Sequence, residues 1–342
     1  MRMRSLAPIT LVLVGLVALV ACGGGDPDPA GPSATPFVIL GTPDRGSPSP
    51  DPTSAPVEET VVPVAPVSGV VSLDWLAGSA AFPAVPSPFA APVADPGLLA
   101  AVQGVLNGRD GVFSVIVHNL ADGRYAAINP NATYYAASLF KAPVLLEAYR
   151  QRDGGVIDFG TELTVDAEVA QYDLGTLEYL GIQVGDKVLL GEAVEAMIVV
   201  SDTSLANLVL GEIGYGEVDA TLAGIGAATM SVSTSELPTT AADMYAVISS
   251  IASGSGVSEE SRQEMLSLMA QEWFYSGVVA GIPAGTAFAH KSGSFTDATH
   301  DVAVVEGPDG PYIIVVLSDR SSYWEPIASV SDAVWRYFAD GS

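Results

Sequence analysis

The chain has 342 residues, of which 49% are hydrophobic and 15% charged, so it is long and apolar enough to bury a substantial core. Its 39 acidic and 13 basic residues give a formal net charge of −26. A field of this sign repels nucleic acid and anionic surfaces, which excludes nucleic acid as a partner. The single cysteine, Cys22, excludes a disulfide within the chain.

The N-terminus has the pattern of a secretory signal. Arg2 and Arg4 precede an apolar run, 9–21, that is too short to span a bilayer comfortably. The run ends in Leu-Val-Ala-Cys at Cys22, which resembles a bacterial lipoprotein lipobox. The resemblance implies that residues 1–21 are a lipoprotein signal peptide. It also implies that Cys22 carries a lipid anchoring the exported protein on the extracytoplasmic side of a bacterial envelope. A signal peptide cleaved elsewhere, or an uncleaved signal anchor, fits the same run.

The next segment is rich in proline. Residues 23–96 contain 16 of the 24 prolines, with Gly, Ser, Ala and acidic residues between them. Proline removes amide donors and favours extended backbone, so residues 22–95 are predicted to form a disordered stalk or linker. The part from Val70 to Phe89 is more apolar and could pack locally.

The pattern changes at about Pro96, where regular elements begin. A helix is predicted at 98–106, and strands at 112–118 and 125–128 form a hairpin around Asp122-Gly123. A mostly helical stretch covers 136–269, followed by strands at 287–291, 302–306 and 312–318 and a closing helix at 324–338. The order predicts an α+β fold for residues 96–342. Its antiparallel sheet would be formed from the N- and C-terminal segments, flanked by helices, with an inserted helical subdomain.

Ser138 and Lys141 begin the helical stretch. On a helix, residues three apart share a face, so these two side chains would meet. A serine hydroxyl becomes an effective nucleophile when a neighbouring base takes its proton, and a neutral lysine can be that base. The lysine pKa would have to fall from about 10.4, through burial and a second nearby cation. Alone, a Ser-x-x-Lys pair is common by chance and more often marks an ordinary helix start with a serine cap.

Two further motifs follow in order. Ser201-Asp202-Thr203 begins 63 residues after Ser138, and Lys291-Ser292-Gly293-Ser294 begins 90 residues after Ser201, on a predicted strand. Together with the segments 195–200, 239–244 and 299–305, these motifs resemble those of class A β-lactamases and other penicillin-recognising serine hydrolases. The resemblance covers most of 96–342.

The resemblance implies a role for each motif residue. Ser138 would be the nucleophile, Lys141 its base, and Ser201 the donor of a proton to the leaving nitrogen. Lys291 would bind the substrate carboxylate and lower the pKa of Lys141. The remaining substrate-binding residues are Thr203, Ser292, Gly293 and Ser294, and the backbone amides of Ser138 and Ser294 would form the oxyanion hole. Gly293 fits a place where substrate approaches the backbone closely.

The sequence departs from the family pattern at two places. The second motif of the family usually ends in asparagine, where this chain has Thr203. Class A enzymes also carry a glutamate on a loop before the Thr-Thr segment, which activates the water for deacylation. In this chain the loop 230–238 is short, and Glu236 is its only carboxylate. Glu236 is a candidate for the water-activating role, and a solvated loop residue is the other interpretation.

The histidines and one arginine are lesser candidates. His118 and His290 lie in strand patterns typical of packed core histidines. His300 and Arg320, which flank strands near the third motif, could meet a substrate carboxylate. No Cys/His cluster is present in the sequence, so neither a metal nor another cofactor is expected.

The implied activity is β-lactamase-like hydrolysis of β-lactam amide bonds through an acyl-enzyme on Ser138, with slow deacylation. Two alternatives stay open. One is a penicillin-binding-type acyl transferase or carboxypeptidase acting on peptidoglycan peptides, and the other is a non-catalytic wall-binding lipoprotein of the same fold. The expected partners are a β-lactam or cell-wall peptide and the membrane, and the protein is expected to be a monomer.

Overall fold

The structure, a computed structural model, describes residues 69–73, 76, 82–83 and 85–341. The predicted signal peptide, Cys22 and most of the predicted stalk lie outside the described residues. Within the described residues, every helix is too short or too polar to cross a membrane.

The domain contains ten strands and ten α-helices in the described residues. The strands are β1 Val93–Ala94, β2 Phe113–Asn119, β3 Arg124–Ile128, β4 Tyr134–Tyr135, β5 Glu162–Thr164, β6 Lys187–Leu189, β7 Pro238–Thr239, β8 Phe288–Phe295, β9 Ala298–Gly307 and β10 Gly310–Ser318. The helices are α1 Pro96–Leu106, α2 Lys141–Asp153, α3 Ala167–Ala170, α4 Thr176–Leu180, α5 Leu190–Val199, α6 Thr203–Ile213, α7 Tyr215–Gly224, α8 Ala241–Ser253, α9 Glu259–Met269 and α10 Trp324–Ala339. Short 3₁₀ helices cover Ala137–Phe140 and Val278–Gly281.

The main sheet joins the two ends of the domain. Its strand order is β1-β3-β2-β10-β9-β8. Strand β2, from the N-terminal part, pairs antiparallel with β10, from the C-terminal part, in a register from Tyr312 opposite Asn119 to Ser318 opposite Phe113. Both strands are buried almost throughout, because helices cover both faces of the sheet. The predicted α+β architecture is confirmed, and β1 adds a parallel strand at one edge, beside β3.

Each face of the sheet carries its own core. Helices α1 and α10 pack on one face, through side chains such as Leu98, Val102, Val330 and Val334. The helical subdomain packs on the other face, around α2, in which ten of thirteen residues are buried. A helix enclosed on nearly all sides fixes its first residue firmly, and that residue is Lys141.

Some residues before Pro96 also belong to this fold. Leu73 is fully buried, and its backbone amide donates to Glu192 Oε1 at 2.8 Å. Val70 forms a bridge with Lys187, and Val93–Ala94 is strand β1. These residues lie within the range 22–95, which the sequence predicts to be a stalk or linker. Their apolar side chains allow them to pack against the domain.

Candidate active site

Ser138 lies in the 3₁₀ turn that leads from β4 into α2. The preceding residue, Ala137, has φ of +47°, a conformation that costs a non-glycine residue about 1–3 kcal/mol. Such strain persists only where the surrounding structure imposes it. The turn leaves the Ser138 side chain partly exposed while Lys141, three residues later, is completely buried.

Lys141 is the centre of the polar contacts. Its Nζ lies 3.2 Å from Ser138 Oγ, 3.2 Å from Ser201 Oγ, 3.1 Å from Thr203 Oγ1 and 2.5 Å from the Ser201 carbonyl oxygen. The structure therefore places Lys141 in contact with residues of both the first and the second motif.

Burial lowers the pKa of Lys141 well below its ordinary value, because the charged ammonium loses its hydration. The positive charge of Lys291 acts in the same direction, while the carboxylates of Asp202 and Glu272 oppose it. The net effect favours a neutral amine. A neutral amine in contact with a serine hydroxyl is the arrangement of a general base beside its nucleophile.

The second motif joins α5 to α6. Asp202 caps α6 by accepting from the Leu205 amide at 2.6 Å, and it also accepts from the Thr176 hydroxyl. Ser201 has φ of +57°, a second strained residue at the site. Thr203 keeps a hydrogen bond with Lys141, but its side chain has a hydroxyl and no amide to offer a substrate.

Gly293 brings β8 against the nucleophile turn. A Cβ at this position would lie 3.2 Å from each of Ala136 O, Ser138 N and Leu139 N. A larger residue at position 293 would therefore force the strand or the backbone around Ser138 to move by a few tenths of an ångström. The close approach of substrate to Gly293 stays a prediction.

Lys291 and Ser292 are buried and bound to an acidic residue that sequence reasoning missed. The carboxylate of Glu272 accepts from Lys291 Nζ, from Ser292 Oγ at 2.7 Å and from the Ser292 amide at 2.8 Å. In the structure these two residues thus hold an internal carboxylate, where the resemblance implied a substrate carboxylate. Glu272 belongs to none of the three motifs, and the only signal for it is an acidic residue directly before the apolar run 273–275.

His290 extends this buried cluster. Its Nδ1 lies 3.0 Å from Asp301 Oδ1, and its Nε2 lies 3.7 Å from Glu272 Oε2. Burial disfavours the charged imidazole, but the carboxylates of Asp301 and Glu272 outweigh this, and the pKa of His290 is raised. His290, Lys291, Glu272 and Asp301 thus form one buried cluster of titratable side chains.

Glu236 is exposed on the loop before β7. The neighbouring Leu237 carbonyl accepts from the Ala136 amide at 2.8 Å, which ties the loop to the nucleophile turn. Among the described residues, no side-chain hydrogen bond links Glu236 to Ser138, Lys141 or Ser201. Its role as the water-activating base stays a prediction.

Three of the lesser candidates, His300, Arg320 and His118, have their contacts away from Ser138 and Lys141. His300 is buried, with Nε2 2.8 Å from the Tyr135 carbonyl and Nδ1 accepting from the Ser318 amide. Arg320 is exposed beside Asp319, 3.8 Å away. His118 contacts the Ala90 carbonyl and Tyr245 Oη. In the part of the chain that the structure describes, no group of His, Cys, Asp and Glu is arranged as a metal site.

Solved structures of similar fold include PBP-A, which is 22% identical with a TM-score of 0.69 over 74% of this chain and 99% of that one. A β-lactamase from Sphaerobacter thermophilus is 21% identical, with a TM-score of 0.65 over 71% and 97%. An ancestral class A β-lactamase is 25% identical, with a TM-score of 0.64 over 70% and 100%. The comparison with curated proteins gave no match.

A family model described as the beta-lactamase enzyme family matches residues 98–338, which is most of the chain and contains all three motifs. The matched range begins in α1 and ends in α10, so it covers both faces of the sheet and the helical subdomain. The chain therefore belongs to the beta-lactamase enzyme family.

Proposed function

We propose that the protein is a serine hydrolase that forms a covalent acyl-enzyme on Ser138 with β-lactams and related activated acyl donors. The observation that carries the proposal is the position of Lys141, buried and 3.2 Å from both Ser138 Oγ and Ser201 Oγ. Burying a lysine is costly unless its ammonium is paired or neutral. A neutral lysine between two hydroxyls is suited to proton transfer.

Acylation transfers, in net, one proton from Ser138 to the lactam nitrogen and replaces the carbon–nitrogen bond with a carbon–oxygen bond. Lys141 takes the Ser138 proton as Oγ attacks the lactam carbonyl carbon, and the backbone amides of Ser138 and Ser294 stabilise the resulting oxyanion. The carbon–nitrogen bond then breaks. Ser201 donates its hydroxyl proton to the departing nitrogen and recovers a proton from Lys141. The product is an ester on Ser138 that retains all atoms of the β-lactam.

Deacylation needs a base directed at a water molecule beside that ester. Glu236 is the carboxylate of the loop 230–238, and it is exposed to solvent. An exposed loop side chain is less well positioned to activate a water molecule than one held inside the site. We therefore propose that the ester hydrolyses slowly, so that β-lactams are bound covalently faster than they are released.

A penicillin-binding-type acyl transferase or carboxypeptidase, acting on peptidoglycan peptides, is the second candidate. The exposed position of Glu236 favours it, because such an enzyme uses the same three motifs without a buried loop carboxylate. A non-catalytic role is less well supported, since a wall-binding protein has no need of a buried lysine beside a partly exposed serine. Export, lipidation at Cys22 and a monomeric state remain parts of the proposal.

Stopped-flow hydrolysis of a chromogenic β-lactam tests this function. We expect a burst of product equal to the enzyme concentration, followed by a much slower steady rate. Ser138→Ala should abolish both phases, while the matched control Ser233→Ala, at an exposed loop serine, should change neither. Fast linear turnover without a burst would contradict slow deacylation. A burst retained in Ser138→Ala would contradict the nucleophile.

A further inference from the structure

Glu272 lies in the segment that connects α9 to the 3₁₀ helix Val278–Gly281, and it points into the site from beneath β8. Its side chain is 1% exposed. The carboxylate accepts three hydrogen bonds, one from Lys291 Nζ, one from Ser292 Oγ and one from the Ser292 amide. Bonds from charged and neutral donors to a buried carboxylate are among the strongest in proteins, so Glu272 is firmly held.

These donors are the ones that would otherwise bind the carboxylate of an anionic substrate. The Ser292 hydroxyl has a single proton, and Glu272 accepts it. Two of the three protons of the Lys291 ammonium are directed at Glu272 and at the Ser292 carbonyl, 3.0 Å away. The positive charge of Lys291 is therefore compensated before any substrate enters, and an incoming carboxylate would approach a like charge.

The surroundings keep Glu272 in place. His290 lies between Glu272 and Asp301, and the second oxygen of Asp301 accepts from the Val278 amide at 2.7 Å. Moving the Glu272 carboxylate out would leave Lys291 as an uncompensated buried charge, which is costly. His300 and Arg320 are the other side chains expected near a substrate carboxylate. His300 is buried on backbone partners, and Arg320 lies beside Asp319.

Exposed aromatic side chains lie close in sequence to these buried groups. Trp273, next to Glu272, is 40% exposed and packs edge-on against Tyr179 at 5.4 Å. Tyr275 is 49% exposed and stacks on His290. Phe295, next to Ser294, is 51% exposed and packs on Tyr135 at 5.1 Å. The surface beside the site thus offers apolar contact area where a binding site for anions would offer cations.

We propose that Glu272 sets the charge preference of the site, by holding the donors of Lys291 and Ser292 so that neutral acyl donors with apolar substituents react in preference to carboxylates. This rests on the proposed acylation of Ser138. Benzylpenicillin and its methyl ester form a matched pair of probes, since both carry the same lactam and the same apolar side chain and differ only in the carboxylate.

The test compares second-order acylation rate constants for the two probes by intact mass. Wild type should react at least tenfold faster with the methyl ester than with benzylpenicillin, after correction for their rates with a free alcohol. Glu272→Gln keeps the shape of the side chain and removes its charge, and it should shift this ratio at least tenfold toward benzylpenicillin. The control Glu212→Gln, which removes one charge at an exposed position, should leave the ratio unchanged.

A second variant covers the case in which Glu272→Gln does not fold. If Glu272 already holds the Ser292 hydroxyl, Ser292→Ala should slow both probes by the same factor. A loss confined to benzylpenicillin would show that substrate carboxylates use Ser292, and would overturn the inference. An unchanged ratio in folded Glu272→Gln would overturn it too. Failure of both probes to acylate wild-type Ser138 would instead refute the proposed function.

Discussion

Gly293→Ala tests whether the contact between β8 and the nucleophile turn holds the oxyanion hole together. The added Cβ would lie 3.2 Å from three backbone atoms, Ala136 O, Ser138 N and Leu139 N. Backbone atoms cannot rotate away as a side chain would, so the strand and the turn must separate by a few tenths of an ångström. The displaced groups include the Ser138 amide, one of the two proposed oxyanion donors.

The magnitude follows from what an oxyanion donor contributes. Removing one such donor lowers the rate by about 10²–10³-fold. A partial displacement should therefore reduce the acylation rate constant by roughly 10-fold to 10³-fold. Overpacking a buried contact also destabilises the fold, by about 1–3 kcal/mol. The protein should remain folded and lose activity by more than its stability change explains.

The assay measures acylation by a β-lactam and thermal unfolding for the same variant. Gly104→Ala is the matched control, because no atom lies within 4 Å of a Cβ at that position in α1. It should leave acylation unchanged and stabilise the helix by about 0.5–1 kcal/mol. Wild-type acylation rates in Gly293→Ala would refute the role assigned to the contact.

Three further predictions concern charges at and near the site. The acylation rate should fall at low pH as Lys141 becomes protonated. Lys291→Ala removes a like charge and should move this fall to higher pH, while Glu272→Gln removes an opposite charge and should move it to lower pH. A shift of both variants in the same direction would contradict the causes assigned to the lowered pKa of Lys141. Glu236→Gln should leave the acylation rate unaltered. If Glu236 has no part in deacylation, the turnover rate should also be unaltered, whereas complete trapping of the acyl-enzyme would identify Glu236 as the base. Burial lowers the pKa of His300 to about 4. The unfolded state therefore binds more protons at His300 between about pH 6.5 and 4. Across this range the free energy of unfolding should drop by about 3 kcal/mol more in wild type than in His300→Gln, as denaturant titrations would show.

The main sheet was predictable because its strands have a strong local signal. Strand β10 is a run of apolar and β-branched residues, and the turn 307–310 before it contains Gly and Pro. The pairs β4–β7 and β5–β6 could not be predicted in the same way, since they have two or three residues each. Their pairing depends on where distant helices place them.

The site was predictable where side chains act within motifs. Ser138 and Lys141 are neighbours on one turn, so their contact follows from spacing alone. The pairing of Lys291 with Glu272 joins two segments 19 residues apart through burial, and nothing in their local sequence requires it. The burial of His300 likewise follows from the packing of β9 between β8 and β10.

The most direct test of the central claim is to identify the residue that is acylated. The protein is incubated with excess benzylpenicillin or its methyl ester, and intact mass is followed by peptide mapping. We predict one adduct per chain, equal to the full mass of the probe, on the peptide that contains Ser138, and none in Ser138→Ala or Lys141→Ala. An adduct on another serine, or an unmodified wild-type chain with both probes at high concentration, would contradict the account.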